Sequence, residues 1–265
     1  MGILNTTPDS FSDGGDYIDV NHAYDRVQAM IAEGADIIDV GGESTKPGAI
    51  TVSVAEELER VIPLIERIRA GSDICISIDT SKADVMRSAV AAGATWINDV
   101  KALTAQGSMA VAASLNVPVC LMHMQGVPAV MQENPVYTAD ILDALNAFFQ
   151  DRITACVNAG LQPEQLILDP GFGFGKSVQH NLRILKYLRV FQQHGLPLLL
   201  GVSRKSTIGV VLQKTVFKRL SGSLAVAVYA ALQGISIIRT HDVDETNQAL
   251  DMVDAIIGKN EEVDA

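Results

Sequence analysis

The chain has 265 residues and a formal net charge of −11, and 48% of its residues are hydrophobic while only 5% are aromatic. This length suits one large α/β domain, and the acidic balance argues against nucleic acid or an anionic membrane as a partner, because both favour a basic surface. The sequence contains no apolar run long enough to predict a membrane span, and its first residues lack the basic-then-apolar pattern of a secretory signal.

Short apolar runs alternate along the chain with segments of helical pattern. The predicted strands span residues 1–4, 35–40, 73–79, 95–99, 117–123, 165–169, 197–203 and 236–241, and a predicted helix follows each of them. Their nearly continuous apolar character is typical of parallel strands that are covered on both faces. Ser53 followed by Glu56 predicts a capping box at the start of the second helix. Five helices are predicted to end at glycines, namely Gly34, Gly93, Gly160, Gly195 and Gly234.

Eight strand–helix units in about 250 residues predict one α/β domain spanning residues 1–265, a single (β/α)8 TIM barrel. A doubly wound open sheet is the alternative, although it usually has fewer strands. Long loops follow the first two strands, at "NTTPDSFSDGGDY" (5–17) and "GGESTKPGAITVS" (41–53). Their Gly, Pro, Ser and Thr content is more typical of lids that close over a substrate than of ordinary exposed connections.

Polar or charged side chains follow all eight predicted strands. They are Asn5, Asp39, Glu43, Asp79, Asn98, Asp99, His123, Asp169, Lys205, Arg239 and His241. Individually, several have a structural interpretation: Asp39 and Asp99 as acceptors for loop backbone, Asp79 as a helix cap, and His123 as a core histidine. Together they predict a pocket, because the carboxyl ends of barrel strands converge on one rim where active sites are built.

The residue types at this rim indicate its chemistry. The set suited to a planar heterocycle with amide and amino edges is Asp79, Asn98 and Asp169. The set suited to phosphate or carboxylate is Lys205, Arg239 and His241, and Ser203 and Ser206 flank basic residues nearby. Asn5 offers an oxygen for Mg²⁺ carried by a diphosphate. No spacing of His, Cys or Glu predicts a tightly held transition metal, and no Ser–His–Asp or Cys–His nucleophile is evident.

The segment "DPGFGFGKS" (169–177) resembles phosphate-binding loops but fits neither of the common patterns. The P-loop pattern requires glycine where this chain has Pro170, and the dinucleotide pattern requires glycine where it has Lys176. We interpret Asp169 as the functional residue of this segment and expect the glycines to shape a tight backbone exit. Lys176 is predicted to be a surface residue at a helix entry, and Lys205 to be the functional lysine.

Eight motifs carry a resemblance to a known family. They are "GILNTTPDSFSDGG" (2–15), "IIDVGGESTKPGA" (37–49), "ISIDTSK" (76–82), "INDV" (97–100), "MHMQG" (122–126), "LDPGFGFGK" (168–176), "GVSRKS" (201–206) and "IIRTHDV" (237–243). They resemble the bacterial dihydropteroate synthases over essentially the whole chain and at all eight strand ends. The resemblance implies a transferase of folate biosynthesis that joins 6-hydroxymethyl-7,8-dihydropterin diphosphate to p-aminobenzoate, giving 7,8-dihydropteroate and diphosphate.

The resemblance also implies roles for individual residues. Those that would hold the pterin are Asp79, Asn98, Asp169 and Lys205, with Met122 beneath the ring. Those that would hold the diphosphate and its Mg²⁺ are Asn5, Arg239 and His241. Those that would shape the p-aminobenzoate site, which sulfonamides also occupy in this family, are Phe11, Thr45, Pro47, Phe174 and Ser206. Thr45 and Lys46, with the two long loops, would close over that site.

Two positions depart from the family pattern. Thr6 stands where valine is usual, with little expected consequence, and Lys46 stands where arginine is usual. Lysine keeps the charge but lacks the planar fork, so bidentate recognition of an anion at position 46 is not expected to be preserved. The resemblance further implies a homodimer formed through outer helices near the end of the chain.

The three cysteines, Cys75, Cys120 and Cys156, are odd in number and widely spaced, which indicates buried thiols in a reducing cytoplasm.

A dissociative, S_N1-like displacement without a covalent enzyme intermediate fits the residues present, because the pterin ring can delocalise the cation left at its methylene. Two rival functions remain open at this point: a pterin-binding methyltransferase domain that serves a corrinoid, and a catalytically silent pterin-binding protein. The "TTPDSF", "STKPGA" and "SRKS" segments favour the synthase.

Overall fold

The computed structural model describes residues 1–6, 20–44, 48–49, 51–126, 131 and 135–258. Within these ranges the strands are β1 (Gly2–Asn5), β2 (Ile37–Gly41), β3 (Cys75–Asp79), β4 (Trp96–Asp99), β5 (Val119–Met122), β6 (Leu166–Asp169), β7 (Leu199–Gly201) and β8 (Ile237–Arg239). The α-helices in the same ranges are α1 (Val20–Ala32), α2 (Val54–Gly71), α3 (Ala83–Ala92), α4 (Ser108–Leu115), α5 (Ile141–Asn158), α6 (Val178–Lys186), α7 (Ser206–Leu212), α8 (Leu220–Leu232) and α9 (Val243–Ile256). Short 3₁₀ segments cover Pro163–Gln165, Leu188–His194 and Val216–Lys218.

The strands close into a barrel. β1 to β6 pair in sequence order, each parallel to the next, and β7 pairs in parallel with β8. Two parallel bridges join these sheets, one between Leu168 and Leu198 and the other between Gly2 and Thr240. The predicted (β/α)8 TIM barrel is therefore confirmed.

The barrel interior changes from apolar to polar along the strands. Near the strand starts, one cluster fills the interior, made of Met1, Ile37, Cys75, Trp96, Cys120, Ile167, Leu199 and Ile237. Because side chains two residues apart along a strand face the same way, the next inward positions are Asp39, Ser77, Asn98, Met122, Asp169, Gly201 and Arg239. The outward positions join the main core beneath the helices. The polar rim predicted from the strand ends thus lies inside the barrel mouth.

Some elements differ from the prediction. Helix α7 occupies a stretch expected to be only a connection, and the helix predicted over 178–195 divides at Tyr187 into α6 and a 3₁₀ segment. The capping box is confirmed, since the Glu56 amide donates to Ser53 Oγ (3.2 Å) and the Ser53 amide donates to Glu56 Oε2 (2.9 Å). The connections after β1 and β2 are long, at residues 6–19 and 42–53. That they act as lids stays a prediction.

The glycines of the loop after β6 are required by close backbone contacts. Gly171 has φ +66°, and a Cβ atom there would lie 1.8 Å from the carbonyl oxygen of His123. Gly175 has φ +62°, and its Cβ would lie 2.2 Å from the carbonyl oxygen of Gln125. Neither distance is compatible with a side chain, so the loop can pack against the end of β5 only as glycine. The tight backbone exit expected here is confirmed.

Replacing Gly171 by alanine should destabilise the fold more than the same change at Gly195, which has φ +68° and no atom within 4 Å of a built Cβ. In both variants, an alanine with a left-handed backbone should lower the free energy of unfolding by about 1–2 kcal/mol. Gly171→Ala should lose roughly a further 1–3 kcal/mol through the clash with His123. Urea denaturation of the two variants measures the difference, and equal losses would contradict the close contact.

Candidate active site

A cavity of about 750 Å³ opens at the carboxyl ends of the strands. Six of the predicted site residues line it: Asn5, Phe174, Lys205, Ser206, Arg239 and His241. Asp79, Asn98 and Asp169 lie deeper, and each is less than a tenth exposed. The structure therefore brings together a buried acidic and amide layer and a basic layer above it.

Arg239, at the end of β8, connects the two layers. Its Nε donates to Asp39 Oδ2 (2.6 Å) and its Nη2 donates to Asp79 Oδ2 (3.0 Å). Asn98 Nδ2 also donates to Asp39 Oδ2 (3.2 Å). The interpretation of Asp39 as an acceptor for loop backbone is wrong, because its carboxylate is buried inside the barrel on Arg239 and Asn98. Sequence reasoning placed Asp39 at the rim but did not include it among the site residues.

The burial of these charges shifts their pKa values. Burial, and then repulsion from Asp39, raises the pKa of Asp79 to about 8, although Arg239 acts in the opposite direction. Burial alone would lower the pKa of Arg239, but the carboxylates of Asp39 and Asp79 outweigh it and raise that pKa above its usual range. Arg239 therefore stays charged at every accessible pH, while Asp79 can gain or lose a proton near neutrality.

Lys205, between β7 and α7, points toward the loop after β6. Its Nζ donates to the carbonyl oxygen of Phe172 and lies 4.5 Å from the centre of the Phe174 ring. Burial lowers the pKa of Lys205 to about 8, against the attraction of Asp169. Asp169 Oδ1 accepts a hydrogen bond from the Gly171 amide (2.7 Å), and burial raises the pKa of Asp169. The ammonium group is thus fixed at one wall of the cavity.

His241 also lines the cavity and makes two contacts with one hydroxyl. Its backbone amide donates to Ser203 Oγ (3.2 Å), and its Nδ1 lies 3.2 Å from the same hydroxyl. The neighbouring Arg204 has a left-handed backbone (φ +56°) and forms a two-point ion pair with Asp242. This pair ties the loop after β7 to the loop after β8, so that Ser203 and His241 face each other.

Four basic or hydroxyl side chains that line the cavity were absent from the predicted site residues: Arg26, Ser44, Ser203 and Arg204. Ser203 and Arg204 lie within the "SRKS" segment, which gave a sequence signal. Arg26 reaches the cavity from α1, and its Nη2 donates to the carbonyl oxygen of His241 (3.3 Å). The predicted site was built from residues that follow the strands, whereas Arg26 lies on a helix. The sequence therefore gave no signal for Arg26, and only the structure shows that it reaches the cavity.

The connection after β2 is fastened at its base by a partly buried ion cluster. Lys82 Nζ contacts Glu43 Oε2 (2.6 Å) and also Glu57, which is fully buried on α2. Glu43 Oε2 accepts a further hydrogen bond from the Val52 amide (3.0 Å). One carboxylate therefore joins both ends of this connection, and Lys82 holds it to the start of α3.

The remaining predicted residues either lie where they were expected or fall outside the described residues. Met122 is buried on β5, in register with Asp169 on β6. Asp99 does serve loop backbone, because it accepts from the amides of Lys101 and Leu103 (both 2.8 Å). The other predicted site residues, Phe11, Thr45, Lys46 and Pro47, lie outside the described residues.

The prediction for Lys176 is wrong. It is only 2% exposed, and its Nζ lies 2.9 Å from His123 Nδ1 and within reach of three backbone carbonyls. The interpretation of His123 as a satisfied core histidine is confirmed. Burial, with a smaller contribution from Lys176, holds the pKa of His123 at about 3, so the ring is neutral at physiological pH.

Replacing Arg239 by methionine should cost roughly 3–5 kcal/mol of folding free energy, since it leaves buried carboxylates without their cation. The matched control is Arg183→Met, which removes an exposed ion pair with Asp140 and should change stability little. Urea denaturation at pH 7 compares the variants. Similar stability of the two would contradict the importance of the pair inside the barrel.

Comparisons with known proteins agree with this geometry. The family model described as "Pterin binding enzyme" matches residues 1–241. The dihydropteroate synthase of Escherichia coli K12 is 52% identical over 261 residues, covering 98% of this chain and 92% of that protein. The structure of the Yersinia pestis dihydropteroate synthase with a sulfonamide drug complex has a TM-score of 0.93 at 49% identity, covering 97% and 94% of the two chains. That of the Xanthomonas albilineans enzyme with 4-aminobenzoic acid has a TM-score of 0.91 at 44% identity, covering 97% and 92%. This chain belongs to the pterin-binding enzyme family and, within it, to the dihydropteroate synthases.

Proposed function

We propose that this transferase joins 6-hydroxymethyl-7,8-dihydropterin diphosphate to p-aminobenzoate, giving 7,8-dihydropteroate and diphosphate. The observation that carries the proposal is Arg239, which holds two buried carboxylates in the barrel and also lines a cavity that shares its walls with Lys205 and His241. A heterocycle fits the deep layer and an anion fits the layer above it. One molecule that carries both groups accounts for the whole arrangement.

In this proposal the deep residues bind the pterin. Asp79 and Asp169 accept hydrogen bonds from its amino and amide edge, Asn98 offers both a donor and an acceptor, and Lys205 donates to a ring acceptor. Met122 lies under the ring. All of these side chains except Lys205 come from the ends of strands, and Lys205 comes from the turn just before α7, so the ring is oriented mainly by rigid elements.

The diphosphate binds above the pterin, where Arg239 and His241 meet the anion and Asn5 stands at the end of β1. The p-aminobenzoate site is formed by Phe174, Ser206 and the stem of Lys205. Phe11, Thr45, Lys46 and Pro47 complete that site in the proposal. Sulfonamides, which share the aryl amine of p-aminobenzoate, would occupy the same place.

The reaction follows as a dissociative displacement. The bond between the pterin methylene carbon and the diphosphate oxygen breaks, and its electron pair leaves with the diphosphate. The pterin ring delocalises the resulting cation until the amine lone pair of p-aminobenzoate forms the new C–N bond. The ammonium proton then passes to a diphosphate oxygen or to water. The protein supplies cations for the leaving group and fixes the two reactants in line.

Mg²⁺ fits as an ion brought by the diphosphate. A Cβ atom built on Gly41 would lie 3.8 Å from Asn5 Oδ1 and 3.7 Å from Asp79 Oδ2, so both oxygens border one small space. No group of three His, Cys, Asp or Glu that could hold a metal occurs among the described residues. Such a site suits an ion whose other ligands are water and phosphate. When bound, Mg²⁺ would neutralise charge on the diphosphate, and Asn5 would be its protein ligand.

The decisive experiment measures diphosphate release from the pterin substrate with and without p-aminobenzoate, in Mg²⁺ and in EDTA. We expect release that depends on p-aminobenzoate, matches dihydropteroate formation one to one, and falls in EDTA. Absence of release that depends on p-aminobenzoate would overturn the proposal and leave the silent pterin-binding protein. Methyl transfer to an added corrinoid would instead support the methyltransferase, and a trapped covalent pterin–enzyme adduct would exclude the dissociative route.

Pterin binding should be strongest near pH 8. Asp79 must be a carboxylate to accept from the pterin, and Lys205 must be an ammonium to donate, while the pKa of each lies at about 8 in the unliganded protein. Affinity should fall below pH 8 as Asp79 takes up a proton, and above pH 8 as Lys205 loses one. Calorimetric titration from about pH 6 to 10 measures this. Lys205→Met should remove the alkaline limb only, and a flat profile in the wild type would contradict both assignments.

We also propose that the protein works in the cytoplasm as a homodimer. All three cysteines are free thiols, which suits a reducing compartment. No described helix combines the length and apolar character needed to cross a membrane. Apolar side chains are exposed on the face formed by α7, the following turn, α8 and α9, among them Val210, Phe217, Met252 and Ile256. Several large apolar side chains exposed on neighbouring helices favour association with a second copy.

Phe217 is 87% exposed, which makes it the sharpest test of the dimer. Phe217→Glu should give a monomer in analytical ultracentrifugation, because a buried carboxylate without a partner opposes association. Val157→Glu, on α5, is the matched control and should leave the dimer unchanged. Dimers in both variants would place the interface elsewhere.

A further inference from the structure

The amine of Lys176 is buried where the loop after β6 packs on the end of β5. Its Nζ lies 2.9 Å from His123 Nδ1 and donates to the carbonyl oxygens of His123 (3.1 Å), Gly171 (2.9 Å) and Phe174 (3.0 Å). A buried amine is costly unless hydrogen bonds satisfy it, and here four acceptors surround one nitrogen. Because His123 is neutral, its ring nitrogen can accept a hydrogen bond from Lys176, and burial lowers the pKa of Lys176 well below its usual range.

The loop of residues 171–175, whose carbonyls Lys176 binds, makes further backbone hydrogen bonds. The amide of Gly173 donates to Asn181 Oδ1 (2.8 Å), and Tyr137 donates through its hydroxyl to the carbonyl oxygen of Gly175 (2.9 Å). Gly171 lies so close to the carbonyl of His123 that no side chain fits between them. The backbone from 171 to 175 therefore has one conformation, imposed from the side away from the cavity.

The opposite side of this loop meets Lys205. The carbonyl of Phe172 accepts from Lys205 Nζ, while the carbonyls of Gly171 and Phe174 accept from Lys176. The Phe174 ring also stands 4.5 Å from Lys205 Nζ. Two lysines thus bind different carbonyls of the same short loop, one from the interior and one from the cavity.

We propose that Lys176 is a positioning residue for the p-aminobenzoate end of the site. By binding the carbonyls of Gly171 and Phe174, it sets the direction of the Phe172 carbonyl and the Phe174 ring, which in turn hold the amine of Lys205. Lys176 touches no substrate. This inference rests on the proposed function for its kinetic consequences, but the link between Lys176 and Lys205 is a property of the protein alone.

The first test compares Lys176→Met with Lys186→Met, which removes an exposed lysine from the last turn of α6. Lys176→Met should raise the KM for p-aminobenzoate by about 10-fold or more, since small misplacements of positioning groups have large effects. It should also weaken pterin binding, because the Lys205 amine that it positions donates to the ring. Lys186→Met should change neither. A lower melting temperature with an unchanged KM would assign Lys176 a purely structural role and overturn the proposal.

Tyr137→Phe provides a second test that leaves no buried amine without partners. It removes one hydrogen bond to the same loop, at Gly175, and leaves Lys176 and its partners in place. The KM for p-aminobenzoate should rise in the same direction as in Lys176→Met, by a smaller factor. If Lys176→Met does not fold, this variant decides alone, and an unchanged KM would overturn the proposal.

A third readout does not depend on activity. In protein labelled with ¹³C-lysine, the Lys205 signal, assigned by its loss in Lys205→Met, should titrate near pH 8 in the wild type. Its pKa should rise in both Lys176→Met and Tyr137→Phe, because a looser loop lets water reach the amine. A rise in Lys176→Met alone would indicate a charge effect without positioning. A wild type that shows this coupling but releases no diphosphate would overturn the proposed function and leave the loop inference intact.

Discussion

Inside the barrel, the guanidinium of Arg239 binds the carboxylates of Asp39 and Asp79, and the geometry of the site depends on this arrangement. The three side chains come from β8, β2 and β3, so the interaction spans the seam where the barrel closes at β1. Charges at this depth are expensive to bury unless each is paired and hydrogen-bonded. Arginine suits the position because its planar fork can serve two carboxylates at once.

The same pairing explains why the site can sit inside a barrel that is otherwise closely packed. Apolar side chains fill the interior at the strand starts, where Trp96 and Leu199 belong to one cluster. Two residues further along most strands, that packing gives way to polar groups, some of which hydrogen-bond one another, as Asn98 does with Asp39. Stability comes from the lower layer and from the outer core, which leaves the upper layer available for binding.

Much of this architecture could be predicted from the sequence, because strand positions and their inward face follow from a period of two. The alternation that places Ile37 in the apolar layer necessarily places Asp39 above it, and the same applies to Trp96 and Asn98. The order of strands then places every strand end at one rim. These are local patterns, and a single sequence displays them directly.

The features that escaped prediction depend on contacts between distant segments. Lys176 follows a glycine-rich loop and precedes a helix, a pattern that normally indicates exposure, yet its partner His123 lies 53 residues earlier, just after the end of β5. The role of Asp39 depends on Arg239, 200 residues away. Arg26 reaches the cavity from a helix, and its contact at His241 lies 215 residues away. No local pattern encodes such pairs, so the rim was predicted more fully than the interactions that hold it.

The distribution of charge within the site also accounts for how a chain of net charge −11 can attract an anionic substrate. In the deep layer, Asp39 and Asp79 offset the charge of Arg239, and Asp169 lies within electrostatic reach of Lys205. Above that layer, the described residues that line the cavity include Arg26, Arg204 and Lys205 and no acidic side chain, although Glu33 pairs with Arg26 and Asp242 pairs with Arg204 outside that lining. Basic groups therefore predominate along the cavity wall itself. We expect a pterin diphosphate to enter ring first, because only that orientation places the hydrogen-bonding ring among the acids and the phosphates among the cations.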